Sequence, residues 1–473
     1  MRVLFIRHHP NAADKDGRYP AAQYPLIPIG LAYIAAYLQQ HDIPVRILDS
    51  YVGTDSIDSF QRAIQAMPAD LIGITATSNG IQGAMEAAEI IKQCWPDTPI
   101  VIGGPHMATY PEKTLLNSHF DFGVVGEGEQ TILELVDALK HGTETRGIPG
   151  LLTKAKKQVS QLTPRKRVNN LDKFPHPARE LFPNSRYKTL LGFNPVTYIL
   201  TSRGCPFQCT FCDHGLWGRE TTFHSPEWII DEIQHCLAQG AREIYIYDET
   251  FSLNKERAKT ICKLIIEKNI KFSWVVSSRV DTVDRELIEL LKQAGCRQIR
   301  FGVESGLDKN LQTIGKNITI KKVRHTFDLC DQVGIDTYAY FMIGLPSETL
   351  QDMEETINFA IQLNPGWTNF NILTMKPGTK VYRQAAQQGH LPPNLWEGLL
   401  DGTVSEEDCF WPTPGVTKTD LLSMKKKAHI QFYLRAGFIK KRLHELFTTN
   451  RYRLYLSVIR SMLGNFFTRA EKS

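Results

Sequence analysis

Residues 201–215 read TSRGCPFQCTFCDHG, and this stretch decides how the rest of the chain is read. It sets Cys205, Cys209 and Cys212 at C-x-x-x-C-x-x-C spacing. Three thiolates this close in sequence can ligate three irons of one 4Fe–4S cube. Ordinary cluster proteins close the cube with a fourth cysteine. Here the fourth iron has no ligand in the motif and is open to a substrate or cofactor. The competing readings are a zinc site or three unrelated thiols. Zinc usually takes paired ligands with a second pair elsewhere, and the sequence offers no partner C-x-x-C or H-x-x-x-H.

Around this stretch the chain alternates strands and helices. VTYILTSRGC is the first strand of the region and runs into the cysteine loop. EIYIYDET, FSWVVSSRV, QIRFGVES, DTYAYFMIG and FNILTM are the next five. Helices are expected at 225–239, 255–268, 284–294, 307–314, 319–333 and 349–363. Six β/α units predict a partial (β/α)6 TIM barrel, with function at the carboxyl ends of its strands. Asp248-Glu249, Arg279 and Glu304 all fall at such ends.

The cysteine motif resembles the signature of the radical S-adenosylmethionine (SAM) superfamily. Phe211 is the aromatic that precedes the third cysteine, and Arg203-Gly204 and Pro206 fit the same pattern. The resemblance implies that SAM chelates the open iron through its amino and carboxylate groups. One electron from the reduced cube, delivered by a protein such as a flavodoxin or ferredoxin, then releases a 5′-deoxyadenosyl radical. The resemblance also assigns roles at the strand ends. Asp248-Glu249 match the stretch that holds the SAM amino group, where a carboxylate favours the ammonium; the alternative is a helix cap. Glu304 resembles the ribose or methionine contact, and a glutamate among apolar residues needs a partner. Arg279 is expected to pair with the SAM carboxylate or with Glu304. MIGLPSET (342–349) resembles the loop against adenine, and MKPGT (375–379) the last-strand turn. No catalytic residue is assigned.

Residues 1–150 show the same alternation. RVLFIR, PVRILD, LIGITA, PIVIGG and FGVVGEGE read as strands, and 29–41, 56–67, 81–94 and 129–140 as helices. This predicts a doubly wound, flavodoxin- or Rossmann-like α/β domain with a parallel sheet. Its strand ends carry Thr75, Thr77, Ser78, Gly103, Gly104, Gly126 and Gly128, and glycines let a bulky planar ligand approach the backbone. PLIPIGLAYIAAYL (25–38), GITATSN (73–79), GGPHMATYPE (103–112) and DFGVVGEGE (121–129) resemble the cobalamin-binding domain found upstream of many radical SAM cores. Cobalamin domains with a histidine under the cobalt carry D-x-H-x-x-G after the first strand. Here that loop reads RHHPNAADKDG, so cobalamin is expected to bind without a protein histidine. His8, His9 and His106 nonetheless lie near the expected cofactor edge.

The expected organisation is a cobalamin-binding domain (1–150), a linker (151–190), a radical SAM core (191–400) and a C-terminal helical extension (401–473). Within the linker the charge run Lys154–Arg167 reads as a solvated surface hairpin. Residues 417–447 and 450–468 read as two basic amphipathic helices that cap the open barrel edge; contact with a membrane surface is the rival reading. A chain of 473 residues with net charge +5 accommodates several domains and does not by itself argue for nucleic acid. Nine cysteines with no secretory leader read as reduced thiols in a cytoplasmic protein, not a disulfide framework. No apolar run reaches the roughly 18 residues needed to span a bilayer.

Together these features imply a cobalamin-dependent radical SAM enzyme, with methyl transfer to an unactivated carbon of a small-molecule substrate as the leading activity. The alternative is radical cyclisation or rearrangement. A methylthiotransferase would want a second cysteine triad upstream, and Cys94 is the sole cysteine before Cys205. Sequence does not give the substrate or the oligomeric state.

Overall fold

The structure, a computed structural model, describes residues 1–8 and 26–440, apart from 157, 188, 190–192, 393, 396, 397, 400–402 and 405. Its first sheet has parallel strands β1 (Val3–Arg7), β2 (Val45–Asp49), β3 (Leu71–Thr75), β4 (Ile100–Gly103) and β5 (Phe122–Val124), in the order β2-β1-β3-β4-β5. These strands are nearly all apolar because helices bury both faces. Leu31 and Ala35 of α1 (Ile29–Gln39) and Leu135 of α6 (Glu129–His141) fill one side. Beyond a single turn, α2 (Ser50–Gly53), the other side holds Phe60 of α3 (Ile57–Gln65), Ala87 of α4 (Ile81–Cys94) and Leu115 of α5 (Pro111–Leu116). This is the doubly wound domain that the alternation predicts, with its crevice where the strand order reverses.

The sheet continues past residue 150. Antiparallel strands β6 (Leu151–Ala155) and β7 (Gln158–Val159) extend it at the β5 edge. The tight β6–β7 connection is a surface hairpin, but the rest of the Lys154–Arg167 charge run is not solvated. Arg165 donates to Thr131 Oγ1 at 2.7 Å and pairs with Glu134 at 2.5 Å. Arg167 donates to the backbone oxygens of Glu220 and Arg203. An all-basic run in the sequence gave no hint of these distant acceptors. Further along, Arg179 is buried against Glu232 at 2.5 Å and donates to Tyr198 O at 2.6 Å.

The second sheet contains six parallel strands: β8 (Val196–Ile199), β11 (Glu243–Ile246), β12 (Ser273–Ser278), β13 (Cys296–Glu304), β14 (Asp336–Ile343) and β15 (Trp367–Ile372), in chain order. A short hairpin, β9 (Ser202–Arg203) and β10 (Thr222–Phe223), clasps the cysteine loop. Helices α7 (Pro226–Ala238), α8 (Lys255–Glu267), α9 (Arg285–Gln293), α10 (Asp308–Thr313), α11 (Ile320–Val333), α12 (Leu350–Leu363) and α13 (Lys380–Gln387) complete the partial barrel. Side-chain oxygens mark the helix starts: Ser225 accepts from Trp228 N, Asp284 from Leu287 N and Thr349 from Asp352 N.

Beyond the barrel, α14 (Lys418–Tyr433) starts at a Thr417–Asp420 capping box and lies along β15. Phe432 is fully buried, Tyr433 Oη bonds the Thr368 backbone, and His429 Nε2 meets Asn369 Oδ1 at 3.1 Å. Phe438 packs edge-on against Trp367 at 5.7 Å. The helix thus covers one open edge of the barrel. Leu443, Leu446, Lys441, Arg442 and the expected helix 450–468 lie outside the described residues. No helix among the described residues is long and apolar enough to cross a membrane.

The two sheets are joined through Arg203, 1 % exposed, which enters the cobalamin-type domain from the cysteine loop. It meets Glu127 at 3.0 Å, in the turn after β5, and Glu129 at 2.6 Å, the first residue of α6. Tyr33, Phe174 and Trp217 flank its guanidinium. Two predictions follow from this packing. Arg203→Met strands two buried carboxylates and should cost about 3–5 kcal/mol, read as a lower urea midpoint; an unchanged midpoint would refute the tie. Deleting residues 417–473 should lower thermal stability and solubility, and Phe432→Ala alone should cost about 3–5 kcal/mol. A stable truncated core, with the full chain sedimenting on anionic liposomes, would point to the membrane role.

Candidate functional site

The cysteine loop leaves β8 and is fastened at its root by Asp248. This carboxylate accepts from Thr201 N at 2.7 Å, Thr201 Oγ1 at 2.5 Å, Ser202 N at 3.2 Å and Ser202 Oγ at 2.7 Å. Arg257 braces the same root through Thr201 O at 2.5 Å. Both Asp248 oxygens are thus engaged by the loop root, which leaves Glu249 as the exposed carboxylate of the pair. The start of α8 is capped by Asn254.

Gly204 follows with φ +97°, and a Cβ there would run into Glu220 O. Only glycine fits this turn. Cys209 is buried, while Cys205 and Cys212 are partly open. Burial pushes the Cys205 thiol up and the Cys212 thiol up to about 12, and neighbouring cysteines add to both shifts. The three sulfurs therefore share one small region, and metal coordination would reverse that preference for the thiol. Among the described residues no three ligand side chains are gathered around a point suited to a single ion; ligands to three irons of a cube stand further apart. Phe211 packs its ring onto the barrel core behind the loop.

Arg279 does not reach Glu304. It forms a two-pronged pair with Asp281 at 2.9 and 3.0 Å and donates to Lys316 O at 2.7 Å. Its guanidinium lies 3.7 Å from the Phe207 ring centroid and its Nη1 is 3.6 Å from Cys209 Sγ. Asp281, two residues on, supplies the anion that the sequence reading sought elsewhere. Glu304 pairs instead with Lys316 at 2.9 Å. A register shift in β13 between Gly302 and Glu304, and φ +73° at Glu304, turn this side chain toward the site. Such a backbone is costly for a glutamate and clusters at functional positions. A Cβ at Gly302 would strike both Glu304 and Lys316, so that glycine makes their pairing possible.

Glu249 remains solvent-facing beside the cysteines. Surrounding protein and the Asp248 charge push its carboxyl up to about 7, against the pull of nearby N–H groups. In the MIGLPSET turn, buried Glu348 accepts from Leu345 N at 3.0 Å and Asn310 Nδ2 at 3.0 Å. In MKPGT, Gly378 (φ +87°) passes against Asp213 of the cysteine loop.

The glycines of the first domain have separate tasks. A Cβ on Gly104 (φ +96°) would meet Thr75 Oγ1 at 2.6 Å, whereas one on Gly126 (φ +87°) would meet nothing within 4 Å. Gly126 thus borders open space, as a ligand-facing turn requires. Gly103 and Gly128 are packing positions, the latter pressed against Ile34. His106 is buried between Thr114 at 3.0 Å and Ser78 at 3.3 Å, and burial lowers its pKa to about 4. His8 meets Glu86 at 3.1 Å. His9 and the loop to residue 25 lie outside the described residues.

The carboxyl ends of both sheets face one another. Ala108 abuts Gly215 of the cysteine loop, and Tyr110 Oη meets Tyr382 Oη of α13 at 2.8 Å. Sequence reasoning missed Arg203, Asp281 and Lys316. Their positions beside the cysteine motif or after strand ends were visible, but their partners were not.

Comparison with known proteins agrees with this layout. A radical SAM superfamily model matches residues 199–360 and a B12-binding-domain model residues 21–136. An uncharacterised methyltransferase of Pyrococcus horikoshii is 35 % identical over 422 residues, covering 88 % of this chain and 90 % of its own. The anaerobic magnesium-protoporphyrin IX monomethyl ester cyclase of Rubrivivax gelatinosus is 28 % identical over 395 residues, covering 81 % of this chain and 70 % of its own. The solved structure of OxsB, a cobalamin-dependent SAM radical enzyme with aqua-cobalamin and SAM bound, shares the fold. It matches with TM-score 0.74 at 18 % identity, covering 96 % of this chain and 72 % of that one. The chain belongs to the radical SAM enzymes that carry an N-terminal B12-binding domain, whose cofactors are a 4Fe–4S cluster, SAM and cobalamin.

Proposed function

We propose that this enzyme transfers a methyl group to an unactivated carbon of a small molecule. The observation that carries the reading is the opposition of the two crevices, fixed by Arg203 between Glu127 and Glu129. When bound, the cube supplies the electron that cleaves SAM, and cobalamin carries the methyl group. The residues position these partners. Cys205, Cys209 and Cys212 hold three irons, and Arg279 steadies Cys209 by donating toward its sulfur. Glu249 faces the SAM ammonium, and Glu304, neutralised by Lys316, faces its ribose or methionine portion. Gly126 lets the corrin approach the backbone, while Gly103, Gly104 and Gly128 keep the strand-end turns closely packed. His106 is engaged by Thr114 and Ser78 and His8 by Glu86, which supports a cobalamin held without either histidine. Holding both reaction partners in one orientation can contribute about 7–11 kcal/mol to rate. A cytoplasmic flavodoxin or ferredoxin serves as reductant.

Similarity to a cyclase supports a second reading, radical cyclisation. Anaerobic incubation with SAM, reductant and candidate substrates separates the two. Methyl transfer predicts a product heavier by one methylene unit, labelled when the SAM methyl is labelled. A product isomeric with the substrate or short of two hydrogens, and unlabelled, selects cyclisation.

The site assignments have their own tests. Replacing all three cysteines by alanine should remove iron, sulfide, brown colour and SAM cleavage together; stoichiometric iron and sulfide in that variant would contradict the assignment. Glu249→Gln and Glu304→Gln should each raise the SAM dissociation constant roughly tenfold or more while the cube stays intact, since a charged hydrogen bond contributes about 1.5–3 kcal/mol. Unchanged SAM affinity in both would leave these carboxylates with a structural role.

A further inference from the structure

Below the cysteine loop, the inner face of the barrel holds an arginine that lacks a carboxylate. Ile299, Phe301 and Val303 of β13 face the helices. Arg300, between them, therefore projects to the inner face, as do Gly302 and Glu304 nearer the mouth. Several arginines on or near this barrel have anions: Arg179 has Glu232, Arg203 has Glu127 and Glu129, Arg279 has Asp281, and Arg297 has Glu243 at 2.7 Å; Arg257 has the backbone oxygens of His224 and Thr201 instead. Arg300 makes one hydrogen bond among the described residues, from Nε to Gln298 Oε1 at 3.3 Å. A guanidinium has five N–H donors, so four are left over. Its flanks are aromatic: Tyr245 at 4.6 Å and Tyr338 at 5.4 Å to the ring centroids.

A second observation marks the same place. Tyr198 and Tyr245, 2 % and 6 % exposed, pack edge-on at 5.4 Å, and both hydroxyls are buried without a hydrogen-bond partner. Buried hydroxyls normally find partners, and each exception calls for an explanation. Three donor groups, a guanidinium and two phenols, thus lie close together, and among the described residues only Gln298 accepts from any of them. Above them Tyr340 stacks 4.7 Å from Tyr338, and Tyr247 is 55 % exposed. The space over Gly302 is taken by the paired Glu304 carboxylate and Lys316 ammonium, which close the upper end of this face. Four residues along a strand span about 13 Å, enough for a small molecule held at one end by Arg300 and presented at the other to the SAM site.

We propose that this inner face is the substrate site, and that the substrate carries an oxyanion, a carboxylate or a phosphate or phosphonate, seated on Arg300 and the Tyr198 and Tyr245 hydroxyls. The rings of Tyr247, Tyr338 and Tyr340 wall an apolar or planar body. This names the substrate class for the reading above and rests on it.

The test uses the full chain, reconstituted with cluster and cobalamin under anaerobic conditions. Binding of benzoate, phenylphosphonate and neutral benzamide is measured by calorimetry. At least one oxyanion should bind about tenfold or more tightly than benzamide, and which one does so tells carboxylate from phosphonate. Arg300→Gln should abolish the preference and Arg300→Lys should restore part of it, because a lysine keeps the charge without the planar fork. Tyr245→Phe, which retains the ring, should weaken the oxyanion severalfold and serves if Arg300→Gln does not fold. No preference over benzamide in the unsubstituted enzyme, or a preference that survives in the variants, overturns the proposal. Iron content and SAM affinity, recorded on the same samples, report separately on the methyltransferase reading.

Discussion

The buried Arg203 guanidinium is the constraint on which the rest of the structure depends. It sits two residues before Cys205, yet its carboxylates belong to the turn after β5 and the first residue of α6 in the other domain. Burial pulls its pKa down, and Glu129 and Glu127 more than offset that. A charge taken out of water in this way tolerates only its exact partners, since removing one leaves another exposed to a low dielectric. The contact therefore fixes the register between the cysteine loop and the glycine-rich turn that borders the cobalamin crevice. Val168 N, in the connector, donates to Glu127 at 2.9 Å and ties the linker into the same junction.

A chain of second-layer contacts spreads that order across the site. Asp248 takes four hydrogen bonds from the loop root, so β11 sets where the loop begins. Arg279, just past β12, reaches Cys209 and is itself held by Lys316 O in the turn after α10. Lys316 in turn neutralises Glu304, whose left-handed backbone is paid for by this pairing. The loop is thus held at its root and at Cys209, while Glu249 stays exposed and Cys205 and Cys212 stay partly open.

The architecture was legible because its signals are local. Periodic apolar runs placed both sheets, and Ser225, Asp284, Thr319 and Thr349 marked helix starts that lie within a residue of those observed. The cysteine spacing located the loop, and the glycines marked the strand-end turns, of which the one at Gly126 borders open space. Partner choice was not legible. Asp248 and Glu249 are adjacent carboxylates at one strand end, and only three-dimensional packing sends one to the loop root and the other to the cavity. Arg279 chose Asp281 over Glu304, and Arg165 and Arg167 left the charge run for acceptors 31 to 53 residues away. Arg300 reads in sequence as an ordinary strand residue; its meaning comes from what the fold fails to place beside it.

The central claim is that cluster and cobalamin occupy facing crevices of one rigid junction, with no histidine beneath the cobalt. Electron paramagnetic resonance of the reconstituted, reduced protein tests it most directly. The account predicts a cob(II)alamin signal without nitrogen hyperfine coupling from a protein imidazole, broadened by magnetic interaction with the reduced cube, and loss of that broadening in Arg203→Met. Imidazole coupling, or two signals that ignore each other in the unsubstituted protein, would contradict it.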